Sequence, residues 1–242
     1  FFPGSIQKKN FLSSLTQSLL LDLENSSSIK FAKEFKKSLD EKQIVLYFDD
    51  PELQKIIDSF YWSGRTIKAP CTPDVKNCIT DYAFPIDANL GINKANFFLN
   101  RSLDLKITID DQGRLHNTFS LVFNNDSQNV FPGGTYRNYF QLYLPRNTLI
   151  KTITIDGVLV EDFTEENDRY KKIGLLIEVK PKTVAELKIN YELAESLKKG
   201  KNIYQLIIQK QIGASNSDLV MRLFIPKNIH LLNQNFSALV KD

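Results

Sequence analysis

Between residues 11 and 39 the apolar positions recur at three- and four-residue steps. Phe11, Leu12, Leu15, Leu19 and Leu23 form one series; Ile29, Phe31, Ala32, Phe35 and Leu39 resume it after the polar break at 24–28. A helix turns once in roughly 3.6 residues, so each series predicts a helix with one face to bury. Residues 44–48, Ile-Val-Leu-Tyr-Phe, are wholly apolar, β-branched and aromatic, the pattern of a strand covered on both sides. Asp50 then stands as an N-cap with Pro51 in the first turn, and Leu53, Ile56, Ile57 and Phe60 share one face of a third helix. Helix, strand and helix in that order predict a small α/β layer.

From about residue 100 the period falls to two. Leu103, Leu105, Ile107 and Ile109 alternate with Asp104, Lys106, Thr108 and Asp110, a turn follows at 111–113, and 114–123 runs back as a hairpin. Further strands are predicted at 80–86, 136–144, 149–155, 158–163, 172–179, 184–192, 203–211 and 217–225, punctuated by Asp156-Gly157, Pro181 and Gly200. Residues 163–170 are acidic and read as a solvated loop between strands. The fold class expected is α+β, with a helical and α/β portion over 1–100 and an antiparallel β-sandwich over 101–242.

Composition narrows the function classes. The chain has 242 residues and a net charge of only +3, with neither sign gathered into a long block, so no nucleic-acid partner is expected. The apolar stretch at 11–23 is too short and too polar to span a ~30 Å hydrocarbon layer. Phe1-Phe2-Pro3 opens the chain without a methionine or a secretory leader, and reads as the start of a fragment or of a processed form.

Cys71 and Cys78 lie seven apart without a nearby His or further Cys, so zinc lacks its four ligands and the redox Cys-x-x-Cys spacing is absent. The pair reads as a local disulfide of an oxidising compartment, the alternative being two reduced thiols.

The candidate chemistry concentrates at 81–101. Asp87, Asn89, Asn93, Lys94 and Arg101 gather around Gly91, just beyond a predicted strand. Asn and Asp side chains commonly bond amides two residues on, so a self-stapled turn accounts for them. The alternative is a polar site, with Asp87 offering oxygens to a hard cation or Lys94 and Arg101 pairing with an anionic sugar or phosphate. Trp62 stands beside Gly64 and Arg65, either to stack on a sugar or peptide or to plug a core. Tyrosines alternate with polar residues within 132–145, as in a ligand platform or the wet face of a sheet. His116 and His230 have no sequence neighbours that make a triad, and no Gly-rich phosphate loop is present. No catalytic residue, metal ligand or cofactor is assigned.

Four segments in order carry a family resemblance: residues 44–65, 78–101, 136–148 and 204–213. Their Asp-Pro-Glu-Leu-Gln, Trp-x-Gly, Asp-Ala-Asn-x-Gly-x-Asn-Lys and Lys-Gln-x-Gly motifs resemble a bacterial cell-envelope family known as domain of unknown function number four thousand and twelve. The recurrent positions fall here on Gln54, Trp62, Gly64, Asp81, Asp87, Asn89, Gly91, Asn93, Lys94, Tyr136 and Gln211, among others. The resemblance implies a membrane-anchored protein with most of its mass outside the cytoplasmic membrane and no assigned reaction. It also implies an anchor and an N-terminal portion outside this chain, that portion being one expected partner.

The expectation is therefore a non-enzymatic, extracytoplasmic envelope module serving adhesion, scaffolding or envelope-polymer binding, with envelope glycan or another surface protein as partner. The tentative ligand-binding set is Trp62, Asp87, Asn89, Asn93, Lys94 and Arg101. The alternatives are an enzyme of envelope glycan or polymer assembly, using a polar site around Asp87, Lys94 and Arg101, and a surface subunit that self-assembles through exposed strand edges.

Overall fold

A computed structural model describes residues 5–25, 27–67, 71 and 77–235. Phe1-Phe2-Pro3 and residues 72–76, inside the Cys71–Cys78 loop, lie outside them. The fold is α+β: helices come first, and a β-sandwich of two sheets follows. The chain forms two compact units, one running to Arg65 and including Ile212–Ala214, the other made of 66–211 and 215 onward.

The first unit holds α1 (Ser5–Glu24), α2 (Ser28–Asp40) and α3 (Pro51–Ser59). Phe11, Leu12, Leu15 and Leu19 of α1 are all exposed, whereas α2 buries Leu39. Asp50 caps α3 as expected, its Oδ1 accepting from the amides of Glu52 at 2.9 Å and Leu53 at 3.0 Å. The strand expected at 44–48 does not form. A strand needs a partner ladder, and this unit offers none among the described residues. The segment satisfies its amides piecemeal instead: Leu46 N–H donates to the Trp62 carbonyl at 3.0 Å, and Phe48 N–H donates to the buried side chain of Gln54 at 2.8 Å.

The second unit contains β1 (Cys78–Asn89), β2 (Leu99–Ile109), β3 (Arg114–Asn125), β4 (Tyr136–Leu144), β5 (Leu149–Ile155), β6 (Val158–Leu159), β7 (Thr164–Asn167), β8 (Lys171–Val179), β9 (Thr183–Ser196), β10 (Ile203–Ile208) and β11 (Asp218–Phe224). One sheet has the order β10-β1-β4-β8-β7, the other β11-β2-β3-β9-β5-β6. The sandwich was expected to be antiparallel, and it is so apart from two edges: β10 runs parallel to β1, and β11 parallel to β2. The acidic stretch expected as a loop forms β7, because Glu165 and Glu166 pair with Lys171 and Lys172 across the ladder.

The unit begins at residue 66, well before the boundary expected at 100, because β1 belongs to the sandwich. Alternation places Leu103, Leu105, Ile107 and Ile109 inward as predicted, all buried. Phe119 and Phe123 of β3 meet Phe140 of β4 across the two sheets, with ring centroids 6.3 and 6.4 Å apart. Each fully buried ring or leucine contributes roughly 1.5–3 kcal/mol, so this interlayer decides the fold. Tyr136 does not belong to a wet face: it points inward beside Phe123, at 2% exposure.

Candidate functional site

Strand β1 is shared between two partners. Its first half pairs with β10 and its second half, Phe84–Asn89, with β4. Where β10 ends, Gln209 N–H still reaches the Ala83 carbonyl at 2.9 Å. Two residues on, the side-chain amide of Gln211 takes the place of a strand backbone, accepting from Asp87 N–H and donating to Asp87 C=O, each at 2.9 Å.

This clamp fixes Asp87 between the sheets. Its Oδ1 accepts from Asn138 Nδ2 at 2.5 Å, and its Oδ2 pairs with the guanidinium of Arg101 on β2. The two side chains are only 10% and 13% exposed. Desolvation raises the Asp87 pKa above its usual value, outweighing the opposing pull of Arg101 and Asn138. Both oxygens thus have partners before any ligand arrives.

The turn beyond β1 is built from its own side chains. Asn89 Oδ1 accepts from Gly91 N–H at 2.9 Å, and Asn93 Oδ1 accepts from Ala95 N–H at 3.1 Å. Asn93 Nδ2 donates to the Thr135 carbonyl at 2.9 Å, so the turn is tied to the segment before β4. A Cβ at Gly91 would meet Asn89 and Asn93 oxygens at 3.0 and 3.1 Å, which is why glycine fits there.

Of the six residues expected to bind a ligand, Asp87 and Arg101 meet as an ion pair while Asn89 and Asn93 build the turn. Lys94 is exposed and its ammonium has no ion pair among the described residues. Trp62 lies in the other unit, stacked on Phe60 at 4.8 Å with its indole N–H donating to Asp40 at 2.8 Å. The expected cluster is therefore one ion pair and one turn. Among the described residues no group of three or more His, Cys, Asp or Glu side chains could hold a metal ion. Cys71 and Cys78 form a disulfide, with Cα atoms 5.7 Å apart.

Sequence reasoning missed a second polar cluster. Asp81 on β1, with no exposure, accepts from its neighbour Tyr82 N–H at 2.8 Å, from Asn117 Nδ2 of β3 at 2.6 Å and from the Tyr204 hydroxyl of β10 at 2.7 Å. Burial raises the Asp81 pKa, more than these three donors lower it. The Tyr191 hydroxyl and Asn117 Oδ1, buried in the same layer, have no partner in good hydrogen-bond geometry among the described residues. The signal was parity: Ile79, Asp81 and Ala83 point the same way from β1, and Asn117 shares the inward face of Leu115 and Phe119.

Between the sheets, beside Arg101, lies a cleft of about 270 Å³. Pro85, Leu103, Leu121, Ile208 and Leu219 form its aliphatic interior; Arg101, residues 209–211 and residues 215–218 form its polar wall.

No family model matches the chain, and no curated protein does either. Solved structures are similar to parts of it. A candidate nutrient binding protein of Legionella pneumophila shares 11% identity over 46% of this chain and 43% of its own, at a TM-score of 0.35. An M1 zinc metallopeptidase of Deinococcus radiodurans bound to a Tyr-Ser-Ala substrate shares 14% over 43% of this chain and 22% of its own, at 0.26. Legionella pneumophila aminopeptidase A in complex with aspartic acid shares 14% over 45% and 12%, at 0.26. This chain thus spans less than half of each.

Proposed function

We propose that the chain is a non-enzymatic, extracytoplasmic cell-envelope module that binds an envelope component through its β-sandwich, and that an anchor outside this chain holds it to the membrane. One observation carries the non-catalytic half of this reading: both oxygens of Asp87, the carboxylate at the centre of the candidate site, are already held by Arg101 and Asn138. A general base or metal ligand needs a lone pair free to meet substrate or ion. The disulfide supports the extracytoplasmic half, since such bonds persist in oxidising compartments. Among the described residues no helix is long and apolar enough to cross a membrane. Membership of the envelope family named above is part of the same proposal and rests on its four sequence segments.

The test is turnover. Purified protein is incubated with envelope glycan fragments, phosphate esters and acyl esters, beside an Asp87→Asn variant. No conversion is expected; conversion that disappears in the variant would establish the enzyme of envelope-polymer assembly in place of the module.

A second reading, self-assembly, is favoured by β11. This strand ends its sheet and exposes Leu219, Val220, Met221 and Phe224, and an open apolar edge is a template for another chain. Light scattering decides it, a strictly monomeric mass at all concentrations counting against assembly.

A further inference from the structure

The chain leaves one sheet at the end of β10 and enters the other at the start of β11. A chain that switches sheets holds the layers apart at that point, and the cleft beside Arg101 opens there. Leu103 and Leu121, core residues at 6% and 2% exposure, form part of its interior.

The chemistry of the lining selects a ligand class. The interior is aliphatic and no aromatic ring lines it among the described residues, so a sugar ring or a base has no face on which to stack. One end is the guanidinium of Arg101. It bonds Asp87, which does not line the cleft, and reaches the Ser215 carbonyl at 3.4 Å, leaving N–H donors without acceptors among the described residues. Ser215, Asn216 and Ser217 add exposed polar groups to the wall. Lys210 and Asp218 also line the cleft.

We propose that this cleft is a binding site for a small amphipathic anion, with an aliphatic chain in the leucine-lined interior and a carboxylate at Arg101. A planar fork meets a carboxylate with two parallel hydrogen bonds, and a water-poor aliphatic wall strengthens them. The inference names the ligand class of the binding module and rests on that reading.

Sodium octanoate, below its micellar concentration, is titrated into the whole protein by calorimetry. Saturable one-site binding is expected. Octyl glucoside, which keeps the tail and loses the charge, is expected to bind at least about tenfold more weakly, and acetate, which lacks the tail, not at all. Ser217→Trp fills the wall from an exposed position and is expected to weaken octanoate by at least about tenfold. Asp87→Asn combined with Arg101→Gln removes both charges together and is expected to lower octanoate to the level of octyl glucoside. Should that pair fail to fold by circular dichroism, Ser217→Trp decides alone. No saturable binding, binding indifferent to Ser217→Trp, or equal binding of the two tailed probes overturns the ligand assignment. Octanoate chemically consumed during the titration sinks the module reading instead.

Discussion

Tyr204 donates its phenolic hydrogen to Asp81 across 2.7 Å, and so ties the parallel edge strand β10 to a carboxylate with no exposure at all. No cation pairs with Asp81 among the described residues. Tyr204→Phe removes a donor to a buried carboxyl and is expected to cost roughly 1–3 kcal/mol, read as a lower urea midpoint with an unchanged slope.

The same carboxyl sets a pH dependence. Burial raises the Asp81 pKa above its usual 3.8, so between the unfolded and folded values the native state holds a proton that the unfolded chain has released. Its contribution to stability is complete below the unfolded value and is lost as pH rises through the raised one. Wild-type stability relative to Asp81→Asn is therefore expected to fall as pH rises above the ordinary carboxylate value of 3.8, in denaturation series at each pH. A relative stability that rises over this range would contradict the assignment.

Arg101 and Asp87 are worth more together than either is alone. Arg101→Ala leaves a buried carboxylate without its counterion and is expected to cost about 3–5 kcal/mol, while the Asp87→Asn, Arg101→Gln pair is expected to cost much less. A double-mutant cycle on urea midpoints measures the difference.

Asn93 and Lys94 are neighbours with opposite expectations. Asn93→Ala breaks the bonds to Ala95 and Thr135 and is expected to cost roughly 1–3 kcal/mol. Lys94→Ala, at an exposed position, is expected to stay within about 0.5 kcal/mol. Thermal melts compare the two directly.

The disulfide closes a short loop, with cysteines seven apart, and on the chain-entropy model stabilises the fold by roughly 2.5 kcal/mol. Cys71→Ser with Cys78→Ser is expected to lose that amount, and reductant is expected to lower the wild-type midpoint to match.

Strand positions were legible wherever alternation was strong. Residues 136–144 and 149–155 were bounded in the sequence as they stand in the structure. The period of two reports which side chains face the core, and hydrophobic burial enforces it. The run at 44–48 shows the limit. Apolar content alone does not distinguish a strand from an extended segment without a ladder, because the partner is a tertiary fact. Thr164–Asn167 shows the converse: an acidic stretch becomes an edge strand because lysines stand opposite it.

By itself the sequence determined the helices-then-sandwich order, the inward apolar residues of β2 and the α3 cap, and it favoured the local Cys71–Cys78 pairing and the turn-forming character of Asn89 and Asn93. Each follows from interactions a few residues apart or from a periodicity a single strand can display. Only the tertiary structure decided that Asp87 meets Arg101, that Gln211 completes the ladder on β1, that Asp81 lies buried among Asn117 and Tyr204, and that a cleft opens where the chain changes sheets. Those partners lie 14 to 124 residues apart in the chain, and a two-residue period carries no information about which strands become neighbours.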